Sequence, residues 1–119
     1  MVKNVFGLAL KPCCFSPKTG FYRDGYCLTG PDDTGTHTVC AIMTKEFLEY
    51  SRSVGNDLTT PRPAYDFPGL HPGDKWCLCL TRWIQAYHDN VAPKVLLEAT
   101  HEKTLDLIGL DELVKFAAK

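Results

Sequence analysis

Cysteine and histidine are the residue types in this sequence with the most distinctive chemistry, and the chain contains six cysteines and four histidines. Thiolate and imidazole are the ligands that zinc prefers. The residues that could supply such ligands are Cys27, His37, Cys40, Cys77, Cys79 and His101. The spacing argues against a zinc site, because Cys77 and Cys79 alternate along an extended segment instead of forming a tight knuckle. We therefore predict no metal and keep zinc binding as a third hypothesis.

Burial is the simpler interpretation of these thiols. Reduced cysteine is among the most buried residue types, which favours a core position for Cys40, Cys77 and Cys79. The apolar run at 5–10 is too short for a signal peptide or a membrane span. Six cysteines in 119 residues also fall below the share of about 8–10% that marks a disulfide scaffold. We predict a cytoplasmic protein with reduced cysteines, in which Cys27, in a loop, is the candidate reactive thiol.

A second candidate site lies at the ends of two predicted strands, 76–80 and 94–100. If these strands are parallel neighbours, their carboxyl ends lie side by side, where ligand clefts of open α/β sheets form. The residues brought together would be Thr81, Arg82, Thr100 and His101. His101 could act as a general base, and Arg82 could hold a carboxylate or phosphate. The alternative is structural: the threonines cap helices, Arg82 pairs with a surface acid and His101 tethers a loop.

Polar loop residues could close over the same site. The catalytic candidates are His101, Arg82 and Cys27, and the ligand-binding candidates are Arg23, Asp24, His37, Asp57, Thr81 and Thr100. Asp57 follows a predicted helix stop, where aspartate usually bonds to the local backbone, yet it could reach Arg23 or His101 if the following loop folds over. The pair Asp32-Asp33 lacks the alternating acids and the final glutamate of a calcium loop, so a turn is favoured there.

Composition and motifs exclude several function classes. Apolar residues make up 45% of the chain and charged residues 23%, and the net charge of -1 gives no reason to expect nucleic acid or an anionic membrane as a partner. The sequence contains no Gly-x-Ser-x-Gly elbow, no phosphate loop and no dinucleotide fingerprint. A papain-like Cys/His enzyme stays open, because its catalytic partners are distant in sequence.

The elements that must position these residues form one domain, 1–119. The predicted strands are 4–10, 37–43, 76–80 and 94–100, and the predicted helices are 45–54, 82–88 and 111–118, while 104–108 fits a strand or a helical turn. Thr44 and Thr81 are the predicted helix caps. Segment 56–74 contains four prolines, which predicts a long, ordered loop that forms one wall of a pocket.

The predicted fold class is α+β: a few-stranded mixed sheet covered by helices, with long Pro/Gly-rich loops. Strand 76–80 is the expected centre of the sheet. Its alternation places Trp76, Leu78 and Leu80 on one face and Cys77 and Cys79 on the other. Both faces are apolar, so both should be covered.

The chain also resembles a known family. The shared residues are 19–25, 29–30, 37–41, 43–44, 55–58, 60–61, 67–70, 72–74, 76–79, 82–83 and 99–102. This pattern is similar to the largely bacterial family named domain of unknown function 2237. The resemblance implies a small single-domain α+β protein and assigns no activity. Cys13, His71 and His88 lie outside the shared pattern, which lowers their weight as site candidates.

Two main function hypotheses follow. The first is a small-molecule-binding protein or minor enzyme whose polar site draws on the candidates above and whose partner is a small molecule. The second is a non-catalytic interaction module with buried thiols, in which an aromatic surface of Tyr65, Phe67, Trp83 and Tyr87 meets a partner. Enzymatic activity, cofactor and oligomeric state stay open at this point.

Overall fold

Two short strands, three α-helices and four short 3₁₀ helices form the regular structure of residues 2–118, the part of the chain that the computed structural model describes. The strands are β1 (Val39–Ile42) and β2 (Lys75–Leu78), and the α-helices are α1 (Lys45–Ser53), α2 (Leu80–His88) and α3 (Leu110–Leu113). The 3₁₀ helices are Pro63–Tyr65, Leu97–Ala99, Glu102–Asp106 and Val114–Phe116. The predicted α+β class is confirmed. Within the described range, no helix has both the length and the apolar character needed to cross a membrane.

The sheet is a single antiparallel pair. Cys40 lies opposite Cys77, and Ala41 lies opposite Trp76. As the alternation predicts, Trp76 faces the main hydrophobic core, while Cys40 and Cys77 face a second, smaller cluster on the other side. Both faces of β2 are therefore covered.

The predicted third strand, 94–100, and its parallel pairing with 76–80 are wrong. Val95 forms one antiparallel bridge to Ala41 of β1, and the chain then enters the 3₁₀ helix Leu97–Ala99. On β2, the N–H group of Cys77 donates to the hydroxyl of Thr19 at 2.7 Å. A loop side chain thus occupies the position on β2 that a parallel neighbour would need, and the returning chain lies beside β1 instead.

Segment 4–10 folds back on itself and is not the predicted strand. Gly7 has φ +77°, and Lys3 bridges to Ala9. The buried side chain of Asn4 accepts hydrogen bonds from the N–H groups of Phe6 and Leu8. These local bonds satisfy the backbone within the turn, so the segment does not need a strand partner.

Helix α1 agrees closely with its prediction, whereas α2 begins early and α3 is shorter than predicted. Thr44 caps α1 as predicted, since its hydroxyl accepts from the N–H of Phe47. Helix α2 begins two residues earlier than predicted, at Leu80, with Cys79 and not Thr81 at its N-cap. The predicted helix 111–118 is a four-residue α-helix continued by a 3₁₀ helix. At 104–108 the helical alternative is mostly correct, because Glu102–Asp106 is a 3₁₀ helix.

Two disulfide bonds, Cys13–Cys40 and Cys27–Cys77, overturn the prediction of reduced cysteines. Their Cα atoms are 5.7 Å and 5.3 Å apart, within the range that disulfides require. Cys27 is fully buried and bonded, so it is not the predicted reactive thiol. Cys14 and Cys79 are the free thiols of the described chain. The core positions predicted for Cys40 and Cys77 are correct, while Cys79 is only half-buried. No local pattern indicates that two N-terminal loops reach the same sheet face.

Reduction of both disulfides is expected to lower the free energy of unfolding substantially. In the chain-entropy model, a bridge across 27 residues contributes about 3.5 kcal/mol and one across 50 residues about 4 kcal/mol. Urea unfolding of oxidised protein, compared with protein in a phosphine reductant and a metal chelator, measures the difference. The double variant Cys14→Ser/Cys79→Ser is the control. Reduction should lower its free energy of unfolding by as much as that of the natural sequence. An unchanged unfolding midpoint would contradict this assignment.

Candidate functional site

A cleft of about 440 Å³ opens beside the start of β2. Its polar lining consists of Arg23, His37, Asn56, Asp57 and Arg62. Its apolar lining consists of Phe21, Leu58, Tyr65, Phe67 and Trp76. The long proline-containing loop supplies most of one wall, as the sequence predicts. Three of the predicted ligand-binding residues, Arg23, His37 and Asp57, therefore lie together.

An aspartate holds the imidazole of His37 in place. The distance between His37 Nδ1 and Asp33 Oδ1 is 2.6 Å. The ring stacks on Phe21, with ring centroids 6.0 Å apart and planes at 26°. It also lies against Gly35, where a Cβ atom would come within 2.7 Å of the imidazole. These contacts from three sides fix the orientation of the ring.

Asp33 is an ionised, buried carboxylate. Its side chain is inaccessible to solvent and accepts hydrogen bonds from the backbone N–H of His37 at 2.8 Å and from the hydroxyl of Thr29 at 3.1 Å. Burial alone raises the pKa of Asp33, but the bonds from His37 and Thr29 outweigh it, so the pKa is lowered from its usual value. Because an ionised carboxylate can only accept, Nδ1 of His37 carries a proton and Nε2 is left for other partners.

Arg23 lies in the cleft as a fixed cation. Its guanidinium donates to the carbonyl oxygens of Gly20, Tyr65 and Asp66, which ties the 3₁₀ turn of the long loop to the N-terminal half of the chain. The guanidinium carbon lies 5.0 Å from the centre of the Trp76 ring, a cation–π contact. Arg23 keeps two of its five N–H donors after these three bonds.

The carboxylate of Asp57 already has hydrogen-bond partners in the protein, whereas the guanidinium of Arg62 has none in the described chain. Arg62 is exposed, and no side-chain hydrogen bond or ion pair of its guanidinium is found within residues 2–118. Asp57 accepts from Thr59 and Thr60, and these bonds, with the Thr60 hydroxyl contributing most, lower its pKa. Asp57 thus stiffens its loop and makes no ion pair with Arg23 or His101 in the described chain.

The other predicted site residues lie elsewhere. Arg82 donates to the carbonyl of Val54 and to Gln85, linking α2 to the end of α1. Thr81 contacts the sulfur of Cys79 at 3.2 Å. Thr100 is fully buried and accepts from the N–H of Cys40 at 3.2 Å. The structure does not bring these residues into the cleft.

His101 and Asp24 line two other surface pockets, which are separate from the cleft and from each other. Nδ1 of His101 accepts from the N–H of Lys103 at 3.0 Å, at the start of a 3₁₀ helix. Burial lowers the pKa of His101, and the charge of Glu102 opposes this only partly. Asp24 accepts from the N–H of Tyr26. The convergence predicted for His101 depended on parallel strands that do not form.

The proposed aromatic partner surface is also absent from the described chain. Trp83 is fully buried, and Phe67 is 8% exposed. Tyr87 stacks on Trp83 with ring centroids 5.7 Å apart. Tyr65 is exposed, but it lines the cleft. These four side chains therefore do not form a common docking face.

Sequence reasoning missed Asp33, Arg62 and Trp76 as members of the site. Asp33 was interpreted as part of a turn, and its spacing of four residues from His37 is uninformative outside a helix. Trp76 is predicted in the core, which is correct, yet it also lines the cleft. A buried aspartate beside a histidine is a tertiary feature that no local pattern reveals.

Replacement of Asp33 with asparagine is expected to lower the free energy of unfolding by about 2 kcal/mol, because charge-assisted hydrogen bonds from His37 are lost. The lowered pKa of Asp33 means that its contribution is complete above the unfolded pKa of about 4 and disappears as the pH falls through the folded value. Urea unfolding at pH 7 and at pH 3 should therefore show a difference between Asp33→Asn and the natural sequence that shrinks in acid.

Asp32→Asn is the matched control, since the neighbouring Asp32 is exposed. It should leave the free energy of unfolding nearly unchanged at both pH values. Equal effects of Asp32→Asn and Asp33→Asn, or a difference that grows in acid, would contradict the described role of Asp33.

One family model matches residues 3–117, and its description is "Uncharacterized protein conserved in bacteria (DUF2237)". No protein with a curated description matches the chain. The family match spans nearly the whole sequence, including every residue of the cleft and all six cysteines. The resemblance found in the sequence is thereby confirmed, and the chain belongs to the DUF2237 family.

Proposed function

We propose that this protein binds a small anionic molecule with a planar portion, and that His37 exchanges a proton with the bound molecule. The observation that carries this proposal is the convergence of two guanidinium groups and an aspartate-fixed imidazole on one aromatic-walled cleft. A volume of about 440 Å³ lies within the range typical of small-molecule sites, about 300–1,000 Å³.

The charges of the cleft favour an anion. Arg23 and Arg62 are cationic, while the carboxylate of Asp57 is already bonded to three donors on Thr59 and Thr60. Guanidinium groups bind carboxylate and phosphate through paired N–H donors. The guanidinium donors of Arg62 are free of protein partners in the described chain, so Arg62 is the residue that we assign to the anionic group.

The walls of the cleft favour a planar group. Phe67 and Trp76 meet edge to face with ring centroids 5.1 Å apart, and Tyr65 lies at the opening with 72% of its surface exposed. Aromatic faces stack on flat, polarisable rings. Aryl carboxylates and nucleoside monophosphates combine such a ring with an anion, and these are the ligand classes to test first.

His37 adds the capacity for proton transfer. Asp33 holds the proton on Nδ1, so Nε2 can accept a proton from a ligand or, when protonated, donate one. The orientation of an imidazole by a buried carboxylate is a recurring arrangement in general acid–base catalysis. This arrangement supports an enzyme over a passive binding protein.

Ligand binding is expected to shift the indole N–H signal of Trp76 in an NMR titration with an aryl carboxylate or a nucleoside monophosphate. The chain has two tryptophans, and Trp83, buried with its indole N–H bonded to Pro93, is the internal control that should not move. Signals that move only outside the cleft, or no saturable shift with either class, would contradict the proposal.

Arg62→Ala should weaken this binding by about tenfold or more, because a charge-assisted hydrogen bond contributes roughly 1.5–3 kcal/mol. Arg62 is exposed, so the variant should keep the unfolding midpoint of the natural sequence. Arg52→Ala is the matched control: Arg52 is also an exposed arginine, but it lies on α1 outside the cleft. Equal affinities of the two variants would remove Arg62 from the site.

A further inference from the structure

We propose that reduction of the two disulfides converts Cys13, Cys27, Cys40 and Cys77 into a binding site for one Zn²⁺ ion. These residues are separate from the cleft and from every residue assigned to it above. The proposal rests on how the four sulfur atoms are placed.

Three of the four sulfur atoms lie close together. The sulfurs of Cys13, Cys27 and Cys77 all lie within 4.8 Å of one another, although Cys13 is bonded to neither of the other two. In a tetrahedral site with Zn–S bonds of about 2.3 Å, the sulfurs are about 3.8 Å apart. Movements on the order of an ångström would bring the three reduced sulfurs to zinc-binding distances.

Cys40 supplies the fourth ligand. It lies directly opposite Cys77 in the sheet, so both side chains project from the same face. The N–H groups of Cys40 and Cys77 point away from each other, to Thr100 and Thr19. The two residues are therefore a non-hydrogen-bonded pair, the type in which opposing side chains approach most closely.

Backbone hydrogen bonds, in addition to the disulfides, link the two loop cysteines to the sheet. The N–H of Cys13 donates to the carbonyl of Gly25 at 2.7 Å, and the N–H of Gly25 donates to the carbonyl of Thr19 at 2.9 Å. Thr19 in turn accepts from the N–H of Cys77. This chain of bonds links both loops to β2, so the ligand positions are expected to remain close together after reduction.

The surroundings suit a closed, structural zinc site. Cys27, Cys40 and Cys77 are at most 1% exposed, and Ala99 and Leu96 pack against the cluster. Burial disfavours thiolates that have no cation beside them, and zinc supplies that cation. The free thiols of Cys14 and Cys79 lie outside the sulfur cluster of the described chain.

The chemistry balances with a thiol or phosphine as the reductant. Each disulfide takes up two electrons and two protons and gives two thiols, so the two disulfides together give four. Two equivalents of phosphine supply the electrons and become phosphine oxide with oxygen from water. Zinc then replaces the thiol protons as the four sulfurs coordinate it. The oxidised chain has no thiolate at these positions and should not bind zinc there.

The test uses the full chain, reduced with a phosphine and freed of metal, and titrated with Zn²⁺ or with Co²⁺ as a spectroscopic probe. We expect one ion per reduced chain, a sulfur-to-cobalt charge-transfer band, and no such binding by the oxidised chain. We also expect zinc to raise the urea midpoint of the reduced chain, because metal binding stabilises the folded state. Failure of the reduced chain to bind one ion would overturn the proposal.

Alkylation in the presence of zinc identifies the ligands without the need for variants. Zinc should protect Cys13, Cys27, Cys40 and Cys77 and leave Cys14 and Cys79 reactive, as mass spectrometry of peptides will show. Cys27→Ser should weaken zinc binding by more than about tenfold, since loss of even an outer hydrogen-bond partner costs 10–100-fold. The matched control, Cys14→Ser/Cys79→Ser, should bind as tightly as the natural sequence. Protection of Cys14 or Cys79, or weaker binding by the control, would overturn the assignment.

Discussion

Most of this structure depends on the position of Cys40 directly opposite Cys77 on the two neighbouring strands. A sheet of two short strands is marginal by itself, and much of the chain here is loop. Each of the two paired cysteines binds one N-terminal loop covalently, Cys40 through Cys13 and Cys77 through Cys27. One face of a minimal sheet thereby becomes the attachment point for the first quarter of the chain, while the other face carries the main core.

The candidate cleft follows from that attachment. The loop that Cys27 secures carries Arg23, whose guanidinium holds the turn at Tyr65 and Asp66. The opposite wall thus consists of a long loop fixed by hydrogen bonds and by the packing of Phe67 on Trp76. The site is built on loops, yet its positions are set by a disulfide, an arginine clamp and a buried aspartate. Such fixation is what a site needs to hold a ligand in one orientation.

Local chemistry allowed some parts of the fold to be predicted, and tertiary partners decided the rest. The cap at Thr44 and the faces of Trp76 and Cys77 follow from hydrogen bonding and alternation within a few residues. The position of 94–100 depended on which strand edge was free, and Thr19 had taken the edge of β2. The sequence predicts Arg23, His37 and Asp57 for the site but not Asp33, the partner of His37, because the burial of Asp33 arises from the tertiary fold. The disulfides were missed for the same reason.

Thr19 and Thr100 protect the two edges of the sheet. An exposed strand edge offers unpaired N–H groups that can template the addition of another chain and so begin aggregation. Here the outward N–H of Cys77 is bonded to Thr19 and that of Cys40 to Thr100, while Leu96 donates to the carbonyl of Cys40. Two hydroxyl groups and one neighbouring segment thus close both sides of the sheet at its midpoint. A very small sheet is protected in this way from growth into an intermolecular one.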